Sequence, residues 1–134
     1  MSHGCAVATI SGTPRLIISG GQRGGFSELL SSVESLALSG SEAGTWSSLA
    51  DLPLPRRHHI MTALASPGRL LVLGGDTNTQ LSHLSQLVSL DLEDDGGGWN
   101  ITGHLLSPRT VMAAAVVDEK YCRATDWEDQ NLFK

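Results

Sequence analysis

The side chains able to do chemistry in this chain are few, and their spacing argues against most reactions. Adjacent histidines, His58 and His59, are the most visible pair. On a strand, neighbours point to opposite faces, so the two cannot chelate one metal. His3, His83 and His104 are scattered, with no paired-cysteine or His-Glu-x-x-His spacing nearby, and no metal site or cofactor is expected. The run GGQRGG at residues 20–25 looks like a phosphate cradle, but no Lys-Ser/Thr and helix follow it, so a loop is the better reading. Asp94 and Asp95 before three glycines are the residues that a turn between strands needs. Cys5, in an apolar stretch, reads as a buried, inert thiol. No Gly-x-Ser-x-Gly motif and no nucleophile with a recognisable base occurs, so catalysis is not expected.

What remains is a set of loop residues suited to gripping another chain. Arg23, Arg57, His58, Asp76 and Asn78 follow glycine pairs or Pro-Arg steps. Arginine's planar fork pairs bidentately with carboxylates, which points to an acidic peptide or protein partner. The net charge of −5, with only 9 Lys and Arg, disfavours nucleic acid. The N-terminus lacks a signal-peptide pattern and no apolar run approaches a membrane span, so a cytoplasmic setting without membrane contact is expected.

The elements that position these loops are repeated. RLIISGG at residues 15–21 aligns with RLLVLGG at 69–75, an offset of 54 residues. Residues 33–38 fall on 87–92 at the same offset. Trp46 falls on Trp99, and Pro55-Arg56 on Pro108-Arg109, at an offset of 53. Each period divides into four short apolar or alternating runs separated by glycine turns, the pattern of a four-stranded antiparallel unit. The first runs are residues 4–10, 60–65 and 111–117, where small side chains such as Ala113, Ala114 and Ala115 suit a crowded inner strand. Each Trp is expected on an outer strand, sealing the seam between neighbouring units and contributing several kcal/mol by burial. Arg56 and Arg109 recur in both copies, as scaffold residues do. Arg57 has Thr110 as its counterpart, so the scaffold does not demand arginine there, and Arg57 is expected to be free for a partner.

On Gly20-Gly21 and Gly74-Gly75, Trp46 and Trp99, and the two Pro-Arg steps, the chain resembles the kelch-repeat family. That family usually has a Tyr about six residues before the Trp; here Leu36 and Leu90 precede it by nine to ten. The resemblance implies an all-β, partial kelch-type β-propeller: two four-stranded antiparallel blades plus the first strand of a third. Residues 3–57 form the first repeat, 58–110 the second and 111–121 the start of a third, followed by a divergent tail at 122–134. It further implies a protein-binding module acting through rim loops, as an adaptor that recognises substrates for a ubiquitin ligase or as an actin-associated scaffold. A carbohydrate-binding or galactose-oxidase-like propeller is the alternative, although its copper ligands have no match here. Two blades cannot close a ring. The chain is therefore expected to be a fragment whose remaining blades come from a longer polypeptide or from self-association.

Overall fold

The computed structural model describes residues 2–24, 28–65, 68–77, 83–94 and 97–116, and these are all-β and irregular structure with no helix. No helix among them is therefore long and apolar enough to cross a membrane. Two four-stranded antiparallel sheets account for most of the chain. The first contains β1 (Gly4–Ile10), β2 (Thr13–Ser19), β5 (Val33–Ala37) and β6 (Trp46–Leu49), in that order across the sheet. The second contains β7 (Ile60–Ala65), β8 (Gly68–Leu73), β9 (Gln86–Asp91) and β10 (Asn100–His104), again neighbour to neighbour. A two-residue pair, β3 (Gln22–Arg23) with β4 (Glu28–Leu29), stands on the loop between β2 and β5.

Local chemistry sets the turns. Ser11 and Gly12 both have positive φ (48° and 78°) and join β1 to β2 through a two-residue hairpin, whose twist suits the flanking strands. At the other end of β2, Gly20 and Gly21 also have positive φ (55° and 98°), as do Gly74 and Gly75 after β8 (58° and 93°). Space as well as angle demands glycine here. A Cβ on Gly20 would stand 2.6 Å from the Arg56 carbonyl oxygen, and one on Gly74 2.5 Å from that of Arg109.

The repeat seen in the sequence is also a repeat of hydrogen bonds. Gly20 N–H donates to the Ser32 carbonyl and Gly74 N–H to that of Gln86. Gly21 N–H donates to the Arg56 carbonyl, and Gly75 N–H to that of Arg109. Leu52 and Leu105, which follow β6 and β10, donate to the Ser31 and Ser85 carbonyls. Each of these bonds in the first unit thus has its counterpart in the second, so each Pro-Arg step is tied back onto its own glycine pair.

The core is the seam between the sheets. From the first sheet, Ala8, Ile17 and Val33 face it, with Ala6, Ile10 and Leu49 beside them. From the second come Met61, Leu70, Val72, Val88 and Leu90. Ridges of alternate strand residues meet here, as the period of two requires. Trp99 packs against this cluster, and its indole N–H donates at 2.8 Å to the carbonyl of Ala50, the residue after β6.

Three expectations change. Trp46 does not seal a seam within the chain. It pairs with Leu36 on the opposite face of the first sheet and is 48% exposed, because no sheet among the described residues lies on that side. Cys5 alternates onto the same open face and is exposed rather than buried. Residues 111–116 form no strand, although Val111 repeats the entry geometry of the earlier units. Ser2, His58 and Val111 all have positive φ, His58 N–H donates to the Ser2 carbonyl, and Val111 N–H donates to that of His58. A strand needs a ladder partner, and none is present for this segment among the described residues. The tail at 122–134 lies outside them.

Polar groups enter the seam as well. His59 is buried, with Nε2 2.9 Å from the Ser19 hydroxyl, and its Nδ1 has no hydrogen-bond partner among the described residues. Burial first, and then the Arg56 charge, lower the imidazole from 6.5 to about 4. The unfolded chain therefore takes up this proton first as pH falls. The resulting stability is complete above about pH 6.5 and is lost progressively down to about pH 4, with a limiting slope of about 1.4 kcal/mol per pH unit. Urea denaturation at pH 7 and pH 5 should show this loss in the natural chain, and His59→Gln should remove most of the difference. In the same assay at pH 7, Trp99→Ala should cost about 3 kcal/mol and Trp46→Ala less than about 1 kcal/mol.

Candidate interaction site

Arg56 and Arg57 leave the end of the first unit in different directions. Arg56 is completely buried, a costly position for a guanidinium that demands acceptors. Nη1 donates to the Gly74 carbonyl at 3.2 Å, with longer contacts from Nη2 to Gln86 Oε1 (3.4 Å) and from Nε to the Leu54 carbonyl (3.4 Å). Burial lowers its pKa to about 10, which leaves it cationic at neutral pH. The side chain therefore crosses from the first unit to the glycine pair of the second. Its counterpart Arg109 keeps the backbone bonds of the motif but has an exposed side chain with no partner among the described residues.

Arg57 turns to the rim. Its backbone exchanges two hydrogen bonds with Asp76, 3.1 and 3.0 Å, in an isolated antiparallel bridge. Arg57 Nε then donates to Asp76 Oδ1 at 2.7 Å and Nη1 to Gln22 Oε1 at 2.9 Å. The other carboxylate oxygen, Oδ2, lies 3.0 Å from His58 Nδ1 and accepts from the Thr110 hydroxyl at 3.2 Å. Burial by itself would raise the Asp76 carboxyl. Hydrogen bonds from His58, Arg57 and Thr110, with the Arg57 charge, outweigh that and hold it below its ordinary value. The positive φ of His58 (52°) aims its ring at the cluster, whereas His59 turns inward, so the two histidines do separate as their adjacency implies.

Of the residues expected to contact a partner, the structure brings Arg57, His58 and Asp76 together. Arg57 is not free, as its contrast with Thr110 suggested; it and Thr110 grip the same carboxylate from successive units. Nε and Nη1 of its fork are engaged, and among the described residues Nη2 has no partner. Arg23 stands apart on the β3–β4 pair, in an exposed ion pair with Glu28 at 2.7 Å. Asn78 lies outside the described residues. Among those residues, no group of three or more His, Cys, Asp or Glu side chains could hold a metal.

One polar cluster went unnoticed in the sequence. Arg15 donates to Glu42 at 2.7 Å and to the Ser47 hydroxyl at 3.0 Å, lining a cavity of about 450 Å³ at the opposite end of the first sheet. The recurrence of arginine at 15 and 69 was the available signal. Arg69 reaches Asp91 only at 3.9 Å, so the two copies use this position differently. The Arg15 cluster lies within one unit, whereas the Arg57–Asp76 cluster joins loops of successive units, which makes the latter the stronger candidate.

Asp76→Asn removes the charge that holds Arg57, His58 and Thr110 and should lower stability by about 1–3 kcal/mol at pH 7. The folded carboxyl is lowered, so its contribution is present above the unfolded value and disappears as pH falls through the folded one. Denaturation curves for the natural chain and Asp76→Asn should therefore differ at pH 7 and draw together in acid.

No protein-family model matches this chain, and no curated protein matches it.

Proposed function

We propose that this chain is part of a kelch-type β-propeller that binds an acidic protein or peptide segment through the rim formed by its glycine-pair and Pro-Arg loops. The observation that carries the reading is the Arg57–Asp76 cluster, where loops of successive repeats converge on one rim. The glycine pairs, the Pro-Arg steps and the two four-stranded sheets support the family assignment. Arg57 supports the ligand class: with Nε and Nη1 engaged, Nη2 is left to meet an incoming carboxylate. In this reading Asp76 is an internal competitor. It holds Arg57 in place without a partner and gives up part of its grip when a ligand carboxylate arrives. A binding role of this kind suits an adaptor or scaffold, the settings the resemblance implies.

Competition makes the test specific. Peptides rich in Asp and Glu would be selected from a displayed library on the full chain and titrated by fluorescence polarisation against two variants. Arg57→Gln should weaken capture by roughly 2- to 30-fold, corresponding to about 0.5–2 kcal/mol. Asp76→Asn should leave it unchanged or tighten it, although both variants lower stability. Equal weakening by both variants, or selected peptides without acidic residues, would overturn the reading.

A further inference from the structure

The contact made by Arg56 inside the chain has an empty counterpart. Arg56 ends against the Gly74 carbonyl and Gln86. The residues 54 positions earlier are Gly20 and Ser32. These two line a cavity of about 210 Å³ on the first unit, together with Ile18, Leu30 and Glu34. The backbone around it has the geometry of the filled site. Gly20 N–H bonds the Ser32 carbonyl as Gly74 N–H bonds that of Gln86, and Gly20 has the positive φ of Gly74. The Gly20 carbonyl, which corresponds to the Arg56 acceptor, accepts no hydrogen bond among the described residues.

One difference sharpens the ligand class. Where the second unit has buried Val88, the first has Glu34, exposed at the mouth of the cavity. The filled site holds its guanidinium with neutral acceptors alone, whereas this one adds a carboxylate. The surrounding face has the features of the seam already made within the chain. Trp46, the counterpart of Trp99, looks out from it half exposed, and Val7 on the same face is 60% exposed.

We propose that this cavity is a binding site for an arginine side chain presented by another polypeptide in an extended Pro-Arg segment. The guanidinium would donate to the Gly20 carbonyl and pair with Glu34, while the residues before it cover Trp46. The cavity is lined by the first glycine pair and by Gln22, which also accepts from Arg57, so it adjoins the Arg57–Asp76 cluster. Its ligand is a cation and its acceptors are Gly20 and Glu34, so it stands if the acidic-peptide reading fails.

The probe is a synthetic peptide with the chain's own residues 51–57, DLPLPRR, titrated into the isotopically labelled full chain. Amide shifts of Gly20, Gly21 and Ser32, and the Trp46 indole signal, should move together and saturate. Replacing the peptide residue corresponding to Arg56 by citrulline, which keeps the shape and removes the charge, should weaken binding about tenfold. Glu34→Lys in the chain should do the same or more, with an unchanged melting temperature because Glu34 is exposed. Loss on Glu34→Lys, with the largest shifts at Gly20, Ser32 and Trp46, supports the cavity. Equal binding of the citrulline peptide, or shifts confined to the Arg57–Asp76 rim, would overturn it. Concentration-dependent self-association abolished by Arg109→Ala would also support it, with a second copy as the source of the arginine.

Discussion

The closure of each Pro-Arg step onto a glycine pair is the constraint on which the other features depend. The second glycine's amide holds the arginine carbonyl, and the first has no room for a side chain because that carbonyl sits against it. This closure fixes where each outer strand returns to the rim. In the first unit it also aims Arg56 into the next one. Apolar packing is non-directional: Ile17, Val72 and Val88 would stay buried if one sheet shifted a little along the other. A guanidinium that must meet the Gly74 carbonyl cannot slide. Packing supplies the attraction between the sheets, and the buried cation supplies their register.

His59 and Ser19 extend the same division of labour. Both lie where the two sheets meet, and each leaves water for a single mutual contact. A histidine held neutral by burial beside a buried arginine stays uncharged at neutral pH, so the stability of the seam depends on solvent acidity. The rim is governed differently. There Asp76 gathers Arg57, His58 and Thr110, and the groups are only part-buried.

Much of the architecture was legible because glycine and proline punctuate it. The runs at residues 4–10 and 60–65 are strands with those bounds, and the glycine pairs end their strands as the spacing requires. What escaped were properties set by a neighbour rather than by the chain segment itself. Trp46 and Trp99 are equivalent by spacing, yet only Trp99 finds another sheet to lie on. Cys5 alternates correctly on a strand, but alternation does not say which face is covered. The alanines at 113–115 have inner-strand composition, and composition cannot provide a hydrogen-bonded partner. At the rim, the contrast between Arg57 and Thr110 was visible, but their convergence on Asp76 joins positions far apart in sequence. That pairing follows from the fold and could not be read from either residue.

The strand order has a kinetic consequence. In both four-stranded sheets every ladder joins strands that follow one another along the chain, with only the small β3–β4 pair interposed. Such meanders close short loops, so each sheet can assemble from local hairpins without first searching for distant partners. The contacts of greatest reach are those that bind one sheet to the other, and they require both glycine turns to be in place. This plan favours local zipping of hairpins ahead of the docking of one sheet upon the next.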